Sequence, residues 1–272
     1  MRRFLKPALL LVFVLISSSV CAQIRVEDNL GCSVVLPAAA KRIVTLSPHT
    51  TEMLLAIGAA PQIIAAAQFF DYPDVMRDIP KTSTLGGLDR EWLLASNPDL
   101  VVAWASGIRH GDLQWLQASG IPVFMSEPGS LSAIGDTLKK LGILTGHAEK
   151  GQKAAALFTA RLDAACSGRS GAPYDSVYYE IWPSPPMTIG GKHWLNEVLD
   201  LAHLHNVFAS VPRGVFTVSA ESLLATPSRI VITSQPAQER LNKSISIITA
   251  DSTLGRPGPR IVEGLEQLCQ QL

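Results

Sequence analysis

One arrangement of apolar and polar positions occurs twice along the chain. Residues 91–104 read Glu-Trp-Leu-Leu-Ala-Ser-Asn-Pro-Asp-Leu-Val-Val-Ala-Trp, and residues 221–233 read Glu-Ser-Leu-Leu-Ala-Thr-Pro-Ser-Arg-Ile-Val-Ile-Thr. Each begins Glu-x-Leu-Leu-Ala, reaches a proline and continues as an apolar run. A proline ends a helix, and an unbroken apolar run is typical of a parallel strand buried on both faces. The repeat therefore predicts two similar lobes, each with a glutamate in the first turn of a short helix.

The pattern between and around these repeats extends the division. Short apolar runs alternate with amphipathic segments in the first half, an order that calls for a mainly parallel sheet covered by helices. Apolar residues then recur every three or four positions from Ser130 to Ala165, which predicts helix, divided at Gly142 or Gly146 if at all. A second alternation of strands and helices begins near residue 177.

We therefore predict an α/β fold of two similar α/β lobes with mainly parallel sheets. One long backbone helix joins the lobes, and a ligand cleft lies between them. The predicted boundaries are a signal peptide over 1–22, an N-terminal lobe over 23–145, a connecting helix over 146–168 and a C-terminal lobe over 169–272. A hairpin-like entry from Ile24 to Leu36 opens the first lobe.

The first 22 residues have the pattern of a secretory signal peptide. Basic residues precede an unbroken apolar run from Ala8 to Ile16, and a small-residue cleavage site ends at Ala22. The run is shorter than the roughly 18 apolar residues that indicate a transmembrane helix. We expect export to the periplasm, and lipid attachment at Cys21 is the alternative.

Composition excludes some classes of partner. The formal net charge is zero and charged residues make up 17% of the chain, so no basic patch indicates nucleic acid. We expect a monomer. Three cysteines follow the predicted cleavage site, namely Cys32, Cys166 and Cys269. An odd number in an oxidising compartment leaves at least one thiol free unless two chains are cross-linked.

No common catalytic signature is present. The chain has no Gly-x-Ser-x-Gly, no phosphate-binding glycine loop after a strand, no His-Glu-x-x-His and no Cys-x-x-Cys. We therefore expect a binding protein without enzymatic activity, resident metal or cofactor. His203 and His205 form a His-x-His pair of the kind that can ligate a metal. A periplasmic metal-binding protein or metalloenzyme is thus the alternative from another functional class.

Large aromatic residues follow the ends of predicted strands in both halves. Ligands of open parallel sheets bind outside the carboxyl ends of the strands, so aromatic residues placed there by two lobes would line one cleft. Burial in the core would explain any single one, but their recurrence favours a large, flat, mainly apolar ligand. Asp251 and Arg256 follow the last strand and could supply polar contacts at the rim, or form a surface ion pair. The aromatic residues are Phe69, Phe70, Tyr72 and Trp104, then Trp182 and Phe216.

Several segments add a resemblance. They are Arg42-Ile-Val-Thr-Leu-Ser-Pro48 with Thr51-Glu52, Asp71-Tyr-Pro73, Asn97-Pro-Asp-Leu-Val-Val-Ala-Trp104 and Gly258-Pro-Arg-Ile261. Together they resemble the periplasmic substrate-binding proteins of ABC importers for vitamin B12. The resemblance covers about residues 41–272. It implies two lobes joined by a rigid helix, a class that also includes haem and siderophore binders.

The resemblance implies a role for each matched position. Asp251 and Arg256 would meet amide side chains of the corrin ring. Glu91 and Glu221 would dock onto arginines of the two membrane subunits, because matched carboxylates suit a two-fold symmetric partner; simple helix stabilisation is the alternative. The residues expected to pack around the ring and its nucleotide tail are Phe69, Tyr72, Trp104, Trp182 and Phe216.

The sequence departs from the resembled pattern at two places. Leu85 stands where a ring-contacting tryptophan is expected. Residues 202–206 read Ala-His-Leu-His-Asn in place of Cys-Gly-Gly-x-Asn, which removes the expected disulfide partner of Cys269. Haem or a ferric siderophore is the alternative ligand within the class, and Tyr72 is the candidate axial ligand for haem.

Overall fold

The structure is a computed structural model that describes residues 23–68, 76–82, 86–234, 246–250 and 252–272. Some sequence predictions concern positions outside these residues, and they remain predictions. They are the signal peptide, Cys21, Phe69, Phe70, Tyr72, Leu85 and Asp251.

The chain opens with the predicted hairpin. Strand β1 (Ile24–Glu27) pairs antiparallel with β2 (Ser33–Leu36). Gly31 in the turn has a φ of +79°, a left-handed conformation that glycine adopts without steric penalty. The Asp28 carboxylate also accepts a hydrogen bond from the backbone N–H of Cys32 at 2.9 Å. The turn is therefore held both by backbone geometry and by a side chain.

The first lobe is built on a five-stranded sheet whose strands are all parallel. Its order is β5-β4-β3-β6-β7. Leu100 to Ala103 are buried at the centre, as the continuous apolar run predicts. The elements are β3 (Ile43–Thr45), α1 (Pro48–Ala56), β4 (Ile63–Ala67), β5 (Lys81–Thr82), α2 (Arg90–Ser96), β6 (Leu100–Trp104), α3 (His110–Ala118) and β7 (Val123–Ser126).

Two helices carry the chain from the first sheet to the second. Helix α4 (Leu131–Leu144) and α5 (Ala148–Ala165) fold back on each other, and the chain turns at Gly146, where φ is +75°. Gly142 lies inside α4 and makes the close contact, since a Cβ there would fall 3.0 Å from Gly151 Cα. Of the two glycines at which division was expected, Gly146 marks the break.

The second lobe has a mixed sheet. Strands β8, β12 and β13 are parallel, β10 runs parallel beside the first part of β8, and β9 is antiparallel to both β8 and β11. The sequence analysis did not predict β9, β10 and β11. The elements are β8 (Asp175–Pro183), β9 (Pro186–Ile189), α6 (Leu195–Leu201), β10 (Leu204–Asn206), β11 (Val215–Thr217), α7 (Ala220–Ala225), β12 (Ile230–Thr233), β13 (Ser246–Thr249) and α8 (Ile261–Gln271).

The predicted fold class is confirmed: two α/β lobes with mainly parallel sheets are joined through a helical connection. Helix α4 packs on α1 and β1, whereas α5 packs on α8, so the pair links the two lobes. One apolar core is continuous through these helices. In the described part of the chain, no helix has the length and apolar character needed to span a membrane.

A disulfide joins Cys166, just after α5, to Cys269 in α8. The Cα atoms are 5.6 Å apart, and 103 residues separate the two positions in sequence. Cys32 is exposed and has a free thiol. The doubt that the sequence raised about a disulfide at Cys269 is thereby resolved, because Cys166 takes the place of the missing partner at position 202.

Candidate ligand-binding cleft

A cleft of about 670 Å³ lies between the two lobes. The first lobe lines it with residues at and after the carboxyl ends of β6 and β7, including Trp104 and Glu127. The second lobe contributes the later part of β8, the segment before α6 and the start of β11, including Tyr179, His193 and Val215. The cleft therefore lies where ligands of open α/β sheets bind.

Trp104 forms part of the first-lobe wall. It is the last residue of β6, and its side chain is 38% exposed, far more than the buried strand residues before it. The His49 ring lies perpendicular to it at a centroid distance of 5.9 Å. On another side the indole closely approaches Gly107, where a Cβ would collide with the ring. The indole is thus held in place while much of its surface faces the cleft.

His49 is buried beneath this wall, near the start of α1. Its Nε2 lies 3.1 Å from Ser126 Oγ, and its Nδ1 lies 3.2 Å from Ser47 Oγ. Burial, assisted by the positive charge of Arg256, lowers the pKa of His49 to about 3. The ring is therefore neutral near pH 7, and both nitrogens are engaged by hydroxyl groups.

Arg256, predicted at the cleft rim, reaches across to the first lobe. Its Nη1 lies 3.2 Å from Glu52 Oε1, and Arg260 Nη1 lies 3.7 Å from the same oxygen. The Glu52 side chain is only 1% exposed. Gly258 lets the loop approach, since a Cβ there would fall 2.9 Å from Glu52 Oε2. An ion-pair cluster thus fastens the second-lobe loop to α1, and the ligand contact of Arg256 remains a prediction.

Sequence reasoning did not assign a role to Glu52. Glu52 was named only within one of the segments that carry the family resemblance. Its burial could nevertheless have been anticipated from the residues that follow it. A glutamate directly before an apolar helical run, Met53-Leu-Leu-Ala56, must be paired if it is buried, and its partners lie some two hundred residues away.

The two aromatic residues predicted in the second lobe occupy different environments. Trp182, 49% exposed, lies near the end of β8, and its indole N–H donates to the Ser184 carbonyl oxygen at 3.0 Å. Phe216 packs edge-on against Phe208, with centroids 5.8 Å apart. Since neighbouring strand residues point to opposite faces, it is Val215 that lines the cleft. Phe216 thus supports the sheet from its other side.

The cleft also contains polar groups that the sequence analysis did not identify. Glu127 accepts a hydrogen bond from the Ser106 backbone N–H at 2.8 Å, and Glu180 accepts one from Thr233 Oγ1 at 3.2 Å. Burial raises the pKa of Tyr179 well above its ordinary range, so its phenol stays protonated. Lys192 and His193 line the cleft just before α6. The cleft thus combines aromatic walls with charged groups and hydrogen-bonding groups.

The family follows from a comparison of the whole sequence. A sequence model described as "Periplasmic binding protein" matches residues 43–253, which include the main sheets of both lobes and every cleft-lining residue except Gly255 and Pro257. The chain belongs to the periplasmic binding protein family. The resemblance noted in the sequence is thereby confirmed at the level of the family.

Individual relatives of this periplasmic binding protein point in the same direction. The vitamin B12-binding protein of Vibrio campbellii is 32% identical over 198 residues, which are 73% of this chain and 72% of that one. That of Vibrio cholerae is 30% identical over 251 residues, or 87% and 90%. The crystal structure of periplasmic vitamin B12-binding protein BtuF of Vibrio cholerae matches with a TM-score of 0.76 and 27% identity, covering 85% of this chain and 96% of that one.

The fold is shared more widely. The periplasmic haem-binding protein RhuT from Roseiflexus sp. RS-1 matches with a TM-score of 0.72 at 20% identity, covering 86% of this chain and 98% of that one. At this identity the match shows a common fold and does not bear on the ligand.

The two glutamates predicted to dock a transporter have matching surroundings in this binding protein. Asp89 caps α2 by accepting from the Trp92 backbone N–H at 3.0 Å, and Ser219 caps α7 by accepting from the Ser222 backbone N–H at 3.1 Å. Glu91 and Glu221 are exposed, and each is the second residue of its helix. Hydrogen bonds from its own backbone N–H and from the Ser219 hydroxyl lower the pKa of Glu221.

The histidine pair proposed as a metal site has other contacts. His203 has a φ of +55° and stacks on Tyr174 at a centroid distance of 5.2 Å. Its Nδ1 lies 2.8 Å from the Ala172 carbonyl oxygen, to which it donates. His205 is exposed on β10. In the ranges that the structure describes, no group of three or more His, Cys, Asp or Glu side chains could hold a metal ion.

Proposed function

We propose that this protein binds vitamin B12 or a related corrinoid in the interlobe cleft and delivers it to an ABC importer. The observation that carries the proposal is the cleft itself, formed at the carboxyl ends of strands from both lobes and walled by Trp104. The vitamin B12-binding relatives, which align over most of the chain, support this choice of ligand. The role is binding and transport, without enzymatic activity.

The chemistry of the cleft suits a flat macrocycle with polar substituents. Trp104 offers aromatic surface in the cleft, which binds by area and by the electrostatics of the ring face. Trp182 does not line the cleft among the described residues, and it stays in the proposed site as a predicted contact. Glu127, Glu180 and Lys192 offer acceptors and donors to peripheral amides. The proposed site also includes four predicted residues that lie outside the described part of the chain, namely Phe69, Phe70, Tyr72 and Asp251. Phe216 is included as a residue that supports the sheet behind the cleft.

We further propose that the protein acts as a periplasmic monomer, exported by residues 1–22, and that a two-fold symmetric permease is its partner. Glu91 and Glu221 would supply one carboxylate from each lobe to equivalent basic sites on that permease. Their equivalent positions in capped helices support this pairing.

Calorimetry tests the ligand. The mature protein, residues 23–272, is titrated with cyanocobalamin, haemin and a ferric hydroxamate in parallel. We expect tight one-to-one binding of cyanocobalamin and much weaker binding of the other two. Binding of haemin or the hydroxamate in place of cyanocobalamin would retain the family and reject the corrinoid. Binding of none, together with one tightly held metal equivalent, would instead favour the metal-binding alternative.

A further inference from the structure

His193 lies on a segment that is fixed between the strands and α6. The backbone N–H of Gly191 donates to the Val211 carbonyl oxygen at 2.8 Å, and that of Lys192 donates to the Arg213 carbonyl oxygen at 3.0 Å. A Cβ at Gly191 would collide with the Ala209 carbonyl oxygen, so this segment requires glycine to lie so close to its neighbour. The imidazole is therefore presented to the cleft from a firmly held backbone.

The His193 ring has two defined contacts, one at its Nδ1 atom and one at its face. Its Nδ1 lies 3.2 Å from the backbone nitrogen of Leu195, and its face is tilted against Trp194 at a centroid distance of 5.3 Å. A backbone N–H can only donate, so Nδ1 must accept and cannot itself carry the proton. In a neutral imidazole the proton is then on Nε2.

The protonation state agrees with this geometry. Burial lowers the pKa of His193 to about 4, so the ring is neutral near pH 7. Within the described part of the chain, Nε2 has no hydrogen-bond partner. The group left to meet a ligand is therefore an N–H donor, and the lone pair of Nδ1 is already occupied.

We propose that His193 is a specificity-determining residue whose Nε2–H donates a hydrogen bond to a carbonyl or carboxylate oxygen at the periphery of the ligand. The same arrangement leaves neither ring nitrogen free to coordinate a metal at the centre of a macrocycle. This inference rests on the proposed function only in placing the ligand in the interlobe cleft.

Two variants at this position separate donation from ligation. His193→Gln retains an N–H donor close to the position of Nε2, whereas His193→Phe retains ring area without a donor. His205→Phe is the matched control, because His205 is exposed on β10 and does not line the cleft. We expect His193→Phe to weaken cyanocobalamin binding about tenfold, and His193→Gln and His205→Phe to bind within about twofold of the wild type. Unchanged binding by His193→Phe, or equal loss in both His193 variants, would overturn the proposal.

Nitrogen-15 correlation NMR of the wild-type protein tests the same point without any ligand. We expect the pattern of a neutral ring protonated at Nε2, assigned by its disappearance in His193→Gln. A ring protonated at Nδ1, or an imidazolium at pH 7, would refute the proposal whatever the protein binds.

The two proposals fail in distinguishable ways. Absence of cyanocobalamin binding with the expected tautomer rejects the ligand. The same variants are then titrated with haemin, and a change in the haem absorption spectrum that requires His193 would show ligation and overturn the assignment of a donor.

Discussion

The two lobes share a helix–strand unit and differ at the cleft. Helices α2 and α7 each begin with a side-chain cap, place a glutamate at the second position and lead into a buried strand. The first sheet is wholly parallel and meets the cleft with the ends of β6 and β7. The second sheet adds the antiparallel strands β9 and β11. Most cleft-lining residues come from the second lobe, chiefly from its loops.

This difference separates two requirements on the same fold. A surface that meets a two-fold symmetric partner needs the same geometry in both lobes, and the repeated unit provides it. A ligand without such symmetry needs different walls, and in the second lobe the later part of β8, the segment before α6 and the start of β11 provide one of them. The following experiments disturb one lobe, or the joint between the lobes, while a matched variant leaves the other unchanged.

The largest effect is expected from the disulfide. Replacing Cys166 and Cys269 together by serine should lower the free energy of unfolding by about 4 kcal/mol, because the bond closes a loop of about 100 residues in the unfolded chain. Urea denaturation measures the change. Cys32→Ser in the first lobe is the control and should leave stability unaltered, since that thiol is exposed and free. A double variant as stable as the wild type would show that packing alone holds α8.

A smaller effect is expected at the joint between the lobes. Glu52→Gln removes a buried charge that faces Arg256 and Arg260, and should lower the free energy of unfolding by about 3 kcal/mol. Glu263→Gln is the control, because it breaks a more exposed pair with Arg260 at the start of α8 and should change stability by less than about 1 kcal/mol. Similar small losses in both variants would show that the interlobe cluster contributes little.

The pH dependence of stability should reveal the buried histidine of the first lobe. The pKa of His49 is about 3 in the folded protein, below its ordinary value of 6.5, so between these values the unfolded chain binds more protons. The contribution of neutral His49 to the free energy of unfolding is complete above about pH 6.5 and is lost as the pH falls toward 3. Between pH 4 and 6, the free energy of unfolding should rise with pH less steeply in His49→Gln than in the wild type, by about 1.4 kcal/mol per pH unit. Urea denaturation at a series of pH values measures both slopes. Parallel curves would contradict the low pKa.

Ligand affinity should depend strongly on the aromatic residue that lines the cleft and weakly on the one that packs on the far side of the second sheet. Trp104→Ala removes a cleft wall and should weaken cyanocobalamin binding about twentyfold, or roughly 2 kcal/mol. Gly107→Ala should act in the same direction, because the added Cβ displaces the indole. Phe216→Leu is the matched change on the opposite face and should alter affinity less than threefold. Calorimetry measures all three, and a Phe216 effect as large as that of Trp104 would place Phe216 at the ligand.

The smallest effect on stability and ligand affinity is expected at the two glutamates of the helix–strand unit that the lobes share. Glu91→Ala and Glu221→Ala should leave stability and ligand affinity unchanged, because both side chains are exposed. Each should reduce uptake through the reconstituted importer by a similar factor, roughly threefold, since exposed interface charges mainly affect association. Glu149→Ala on α5 is the control. Unequal effects would indicate that the partner does not contact the lobes equivalently.

Local patterning was sufficient for most of the fold. Helix α2, strand β6 and helix α7 occur where the two repeated segments predict a short helix followed by a buried strand, because proline positions and continuous apolar runs mark their ends. Strands β9 and β11 were missed because they are short and contain few of the alternating positions by which a strand is recognised. The pairing of Cys166 with Cys269 depends on how α5 and α8 pack, which no local pattern reports.

The candidate site was less predictable than the fold. Trp104 was identified because it ends a recognisable strand. Glu52, Glu127 and His193 were not, because their surroundings come from segments far apart in the sequence. The face on which Phe216 lies depended on the register of β11, a strand that was itself not predicted.

The contact between Gly142 and Gly151 places two helix backbones almost directly against each other. One helix belongs with the first lobe and the other with the second, so this point acts as a fulcrum for their relative orientation. An 18-residue helix extends about 27 Å, so a small rotation about this contact becomes a larger displacement at the far end of the helix. We therefore expect a side chain in place of either glycine to change the relative orientation of the two lobes.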